Sequence, residues 1–173
     1  MNASTGPSSP FTLRVATVAD VPTILDFIRQ LAEYEKLLDA VTANEAVLRE
    51  TLFGPKPAAE VIIAEADREP AGFAVFFQTY STFHGRPGVY LEDLFVRPVF
   101  RRRGLGRQLL SAVAQVAIDR QCPRLEWSVL DWNETALRVY RAVGAKQMDE
   151  WTIQRVEGEA LLALAQGSQR SAE

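Results

Sequence analysis

Residues 90–110, YLEDLFVRPVFRRRGLGRQLL, limit most strongly what this chain can fold into. They read as a strand over 90–96, a link broken by Pro98, a basic glycine-bearing turn over 101–106, and the start of an amphipathic helix. A strand that feeds a turn at a helix N-terminus gathers backbone N–H groups that the helix leaves unpaired, and the positive end of the helix dipole adds to them. Such a place suits an anion, phosphate above all. Gly104 and Gly106 let the backbone approach a bulky phosphate, because no Cβ intervenes. Arg101, Arg102 and Arg103 add attraction and donors.

Two other phosphate motifs fail on the same letters. A Walker-type loop ends in Gly-Lys-Ser/Thr, whereas Gly106 is followed by Arg107 and Gln108. A dinucleotide fingerprint wants a third glycine where Leu109 stands. Arg101-Arg102-Arg103-Gly104-Leu105-Gly106 instead resembles the Arg/Gln-x-x-Gly-x-Gly/Ala pattern of the GCN5-related (GNAT) N-acetyltransferases, whose loop holds the pyrophosphate of acetyl-coenzyme A. The flanks sharpen this. Tyr90-Leu-Glu-Asp-Leu-Phe-Val96, Asp131-Trp-Asn-Glu134 and Tyr140-Arg-Ala-Val-Gly-Ala145 resemble the diamine (spermidine/spermine) and thialysine branch, and the similarity runs from about residue 13 to 164. It implies an α/β GNAT fold: a mixed, mostly antiparallel sheet with a bulged and splayed central strand, packed by about four α-helices.

A chain of 173 residues, 47% hydrophobic, can bury one sizeable core. Its net charge of −3 argues against a general nucleic-acid binder, so the arginine cluster is a local feature. With one cysteine, Cys122, and one histidine, His84, an intrachain disulfide and a multi-Cys/His metal site are excluded by count, and no metal is expected. Cys122 reads as a small buried filler. No apolar stretch is long enough to span a bilayer, and a cytoplasmic location without a membrane partner is expected.

Residues 1–10 are small, polar and proline-bearing and read as a disordered leader, residues 11–166 as one domain, and 167–173 as a frayed tail. Within the domain, a strand over 11–16 precedes a capping-type start at Thr17–Asp20 and a helix whose apolar residues, among them Val21, Ile24, Leu25, Ile28 and Leu31, recur at three- and four-residue steps. A second capping box at Thr42 and Glu45 opens a shorter helix that Gly54 and Pro55 end. Strands are expected over 61–66 and 71–80, with a turn at 67–70, followed by a loop over 81–88. After the glycine turn and its helix come a strand over 124–130 and a helix over 134–142 with Asn133 as N-cap. Last strands are expected over 146–156 and 160–165, with a helix over 159–166 the alternative at that end.

Moving an acetyl group from a thioester to an amine requires a neutral amine, donors for the developing oxyanion, and a proton for the departing thiolate. Glu92 and Asp93 lie on an otherwise apolar strand, where a carboxylate is costly to bury without partners, so one of them faces a polar cleft. The resemblance implies Glu92 as proton acceptor, through water, and Leu94, Phe95 and Val96 as the backbone donors to the thioester. It implies Tyr140 as the general acid and as a coenzyme contact together with Asn133, and the turn from Arg101 through Arg102, Arg103, Gly104, Leu105 and Gly106 to Arg107 as the pyrophosphate site. A phenol has a pKa of about 10, so Tyr140 is a weak acid at neutral pH. For the amine it implies Tyr34, Glu35, Glu92, Asp93, Asp149 and Trp151, carboxylates and aromatics that suit an ammonium.

The chain departs from the diamine enzymes at Lys36, Leu37 and Leu38, where they keep acids just after the glutamate. A thialysine-like amine therefore fits about as well as a polyamine. The expected activity is acetyl-coenzyme A-dependent N-acetylation of a small primary amine by direct attack in a ternary complex, in a homodimer by resemblance. The alternatives are acetylation of a protein or an antibiotic, and a non-catalytic acetyl-coenzyme A sensor.

Overall fold

The computed structural model describes residues 10–167. The expected leader and tail therefore lie outside the described residues, apart from Pro10 and Gly167. The chain divides into two compact units, Met1–Trp132 and Asn133–Glu173.

In the first unit, β1 (Phe11–Val15), β2 (Glu60–Ala66), β3 (Glu69–Ser81), β4 (Arg86–Val96) and β5 (Leu125–Trp127) form one sheet in sequence order. All neighbours are antiparallel except β4 and β5, which run parallel. Three helices belong to this unit: α1 (Val21–Glu35), α2 (Glu45–Phe53) and α3 (Leu105–Asp119). A capping box starts the chain toward α1, with the Thr17 N–H donating to Asp20 Oδ2 at 2.7 Å. Helix α2 begins differently from the expected box at Thr42. Its N-cap is Asn44, whose side-chain oxygen accepts from the Val47 N–H at 3.1 Å.

Alternation along the strands explains the layers. Val61, Ile63, Phe73, Val75 and Phe95 share a buried cluster with Val21, Ile24, Leu25 and Phe27 of α1 and Leu48 of α2. Phe27 centres this face, with ring centroids 5.2 Å from Phe73 and 5.9 Å from Phe95. Leu94 and Val96 point the other way, toward α3, where a Cβ added to Gly106 would stand 3.8 and 3.9 Å from them. Cys122 is buried, as a filler should be.

Two turns differ from the expected boundaries. The β2–β3 connection is a two-residue hairpin turn, Asp67 (φ 50) and Arg68 (φ 71), so β3 begins at Glu69. The expected loop over 81–88 shrinks to four residues, because β3 runs on to Ser81 and β4 starts at Arg86. Pro87 fits there because β5 pairs with β4 only from Val89, so the strand is still an edge and a missing N–H is tolerated.

The central strand carries the bulge and the splay. Val75 pairs with Asp93 and Phe76 with Leu91, so Glu92 is the extra residue. β4 meets β5 only through Val89, Tyr90 and Leu91, and beyond Leu91 no described strand pairs with that side. β5 is three residues long instead of the expected seven.

The second unit holds α4 (Glu134–Ala142) and α5 (Gly158–Ala165). Residues 146–156 form no strand, and the end of the domain takes the alternative, a helix, in place of a strand over 160–165. A strand needs a ladder partner, and the apolar residues that suggested one, Met148, Trp151, Ile153 and Val156, are all exposed. No described helix is long and apolar enough to cross a membrane.

Candidate active site

The glycine turn closes onto α3 as the sequence implies, one residue pair earlier than expected. Leu105 and Gly106, read as turn, are the first two helical residues, and Gly104 is the N-cap with φ 83. The first bond across the cap runs from the Gln108 N–H to the Gly104 carbonyl at 3.1 Å, so the helix supplies no acceptor to the N–H groups of Leu105, Gly106 and Arg107. A Cβ on Gly104 would meet nothing within 4 Å; glycine is favoured there by its left-handed conformation. An open concavity of about 560 Å³ beside the turn is lined by Leu13, Gly104, Arg107, Gln108, Ser111 and Ala112.

The arginines divide into two groups. The Arg101 guanidinium lies over the rings of Tyr34 (4.9 Å) and Phe95 (5.6 Å), and its Nε donates to the Val96 carbonyl at 2.9 Å. Arg103 covers Phe11 at 5.1 Å and Phe100 at 5.8 Å. Arg102 and Arg107 make no ion pair or side-chain hydrogen bond among the described residues, and both are exposed. Left-handed glycine, helix N–H groups and two unengaged guanidiniums are the chemistry a pyrophosphate needs, so the turn fits the coenzyme.

The carboxylates gather at the bulge. Phe95 pairs with Phe73 and Asp93 with Val75, and cross-strand partners share a face, so Asp93 lies on the side that carries α1. Glu92 is exposed on the bulge itself, which interrupts the alternation expected to send the two acids to opposite faces. Burial pushes the Asp93 carboxyl up to about 6, with Glu92 and Glu35 adding like-charge repulsion. Burial also raises the Glu35 carboxyl above its ordinary value. Among the described residues none of the three makes an ion pair. Leu94, Phe95 and Val96 pair with β3 on one side and face no strand on the other. Among the described residues no group of three or more His, Cys, Asp or Glu side chains is arranged to hold a metal.

Tyr34, the neighbour of Glu35, sits where α1 ends at a left-handed Lys36 (φ 62). Its ring centroid is 5.7 Å from that of Trp132. No role is expected for Trp132 from the sequence, although it stands in the Asp131–Glu134 stretch that carries the family resemblance. In the second unit, Asn133 caps α4 by accepting from the Ala136 N–H at 3.2 Å. Tyr140 is half-buried two turns further along the same helix, on the same face as the cap. Asp149 and Trp151 are exposed, and the Trp151 N–H donates to the Met148 carbonyl at 3.1 Å.

The sheet, the glycine turn and the bulged strand define a coenzyme-dependent acyltransferase fold, and the comparisons make it specific. Residues 26–145 match the acetyltransferase (GNAT) family, and the chain belongs to it. It is an acetyl-coenzyme A-dependent N-acetyltransferase. It is 42% identical to the thialysine N-epsilon-acetyltransferase of Bos taurus, over 88% of this chain and 96% of that one. With the L-ornithine N5-acetyltransferase of Arabidopsis thaliana it shares 33% identity, over 88% of this chain and 86% of the relative. Among solved structures, an integron cassette protein from the mobile metagenome of V. cholerae superposes with a TM-score of 0.76 at 26% identity, covering 90% of this chain and 98% of that one.

Proposed function

We propose that this enzyme acetylates the primary amine of a small, thialysine-like or diamine-like molecule by direct attack within a ternary complex. The observation that carries the reading is the trio Glu35, Glu92 and Asp93, three carboxylates without an ion-pair partner among the described residues, the charges of Glu35 and Glu92 both reaching Asp93. An ammonium supplies the missing countercharge. Relatives that act on thialysine and on ornithine share most of the chain's length, which supports an amine borne on a short aliphatic arm.

Bound acetyl-coenzyme A supplies an acetyl group activated as a thioester. Arg102, Arg107 and the N–H groups at the start of α3 hold its pyrophosphate, and Leu94, Phe95 and Val96 offer backbone N–H groups to its carbonyl oxygen. Glu92 takes a proton from the bound ammonium through water, which leaves the neutral amine to attack the thioester carbonyl. Tyr140 delivers a proton to the departing sulfur, and Asn133 contacts the coenzyme; both roles rest on the match to the family pattern. Asp149 and Trp151 complete the amine site on the same ground. The reading extends to a cytoplasmic homodimer, which analytical ultracentrifugation tests.

The deciding experiment follows thiol release from acetyl-coenzyme A with thialysine, ornithine, spermidine, putrescine and a lysine-containing peptide. Turnover on the free amines and not on the peptide is expected. Turnover on the peptide alone makes the chain a protein acetyltransferase, and tight coenzyme binding without turnover on any of them makes it a sensor.

A further inference from the structure

Tyr34 meets groups from distant parts of the first unit. The Arg101 guanidinium, 4.9 Å from the ring centroid, comes from the glycine turn, and the Trp132 ring, at 5.7 Å and 51°, from the segment after β5. Arg101 is itself fastened to β4 through its bond to the Val96 carbonyl. None of these groups belongs to the buried core: Tyr34 is 37% and Trp132 52% exposed. Burial alone does not explain why two large aromatics meet there, at the last turn of α1.

The backbone of that turn is closed by a left-handed cap at Lys36, with the Lys36 N–H donating to the Glu33 carbonyl at 3.1 Å and the Leu37 N–H to the Ala32 carbonyl at 2.8 Å, before the chain passes into the exposed residues Leu37 and Leu38. The cap satisfies the turn's own hydrogen bonds; where the turn stands against its neighbours is left to side-chain packing. Its last residue is Glu35, whose charge reaches Asp93. Where Tyr34 stands therefore decides how far the Glu35 carboxylate lies from the acids of the bulge.

We propose that Trp132 is a positioning residue for the amine substrate: by stacking on Tyr34 it fixes the end of α1, and with it the Glu35 carboxylate. The inference rests on the reading of Tyr34 and Glu35 as part of the amine site. Arg101 adds a second contact to the Tyr34 ring, from the coenzyme turn. Removing the Trp132 ring loosens amine binding while the turn, with its helix N–H groups and its unengaged arginines, keeps its grip on the coenzyme.

The test uses steady-state kinetics with thialysine at saturating acetyl-coenzyme A, together with coenzyme binding by calorimetry, in the full chain. Trp132→Leu is expected to raise the amine KM about tenfold, with kcat and the coenzyme Kd held within about twofold. Trp132→Phe, which restores a ring, is expected to bring KM back to within about threefold of the parent. An unchanged KM in Trp132→Leu overturns the proposal, as do parallel losses in kcat and coenzyme affinity, which indicate general loosening. Equal impairment in Trp132→Phe overturns it too. A parent enzyme that acetylates neither thialysine nor any other free amine sinks the small-amine reading first and this inference with it, a result distinct from an active parent with an indifferent variant.

Discussion

Asp93 and Glu35 confront one another as like charges from different elements, one on the bulged stretch of β4 and the other on the last turn of α1. Burial, Glu92 and Glu35 together hold the Asp93 carboxyl at about 6, against an ordinary value of 3.8. The folded state therefore keeps a proton on Asp93 that the unfolded chain has already released. The stabilisation from this group is present below about pH 4 and is lost as the pH rises through about 6, by up to about 3 kcal/mol.

Asp93→Asn is expected to abolish that loss. By calorimetry, the variant should match the parent near pH 4 and melt at a higher temperature near pH 8. A parent whose stability instead rises between pH 4 and 6, with no difference in the variant, refutes the assignment. Activity should move oppositely to stability if, as proposed, the charge that strains the fold is the one that attracts the ammonium.

Gly104 stands in open space with φ 83, so substituting it strains the backbone and not the packing. Gly104→Val is expected to cost about 1–2 kcal/mol of stability and to weaken coenzyme binding at least tenfold by displacing the helix N–H groups. Calorimetric titration with coenzyme A reads the affinity, and scanning calorimetry of the free protein reads the stability.

Tyr140→Phe removes only a hydroxyl. Turnover is expected to fall about 10²-fold or more, as for a lost general acid, with coenzyme affinity within a few-fold. Equal turnover in the variant removes the assignment.

Gly72 serves the fold rather than the chemistry. A Cβ there would stand 2.4 Å from the Phe95 carbonyl oxygen, a backbone atom that cannot step aside without parting β3 from β4. Gly72→Ala is expected to destabilise the protein by about 1–3 kcal/mol, measured by urea unfolding, and to lower turnover because the strain falls on the end of β4.

The strand, glycine turn and helix were legible because each rests on local chemistry: apolar runs, two glycines and a cluster of arginines. Asn133 as a cap was legible for the same reason. The bulge at Glu92 has no local signature, since whether one residue is extra depends on which residues of β3 it meets. The length of β5 depends likewise on where it parts from β4. The sequence implies Arg101 and Arg103 as part of the pyrophosphate site, and their stacking on Tyr34, Phe95, Phe11 and Phe100 could not be read from letters far apart in the chain. The pattern over 146–156 records only that apolar and polar residues mix; it carries no information about whether a neighbouring strand exists.

The parting of β4 from β5 also bears on how this protein avoids stray strand pairing in a crowded solution. Past Leu91 the strand shows an unpaired edge inside the sheet, and an unpaired edge invites any stray extended segment to zip onto it. The first two residues of that edge are Glu92 and Asp93, one exposed on a kink and the other half-buried beside Glu35. A foreign strand would have to accept a bend in the ladder and bring its own positive charge. The acids proposed to hold a cationic substrate thus also oppose polymerisation, and neutralising them should show up as aggregation before it shows up as unfolding.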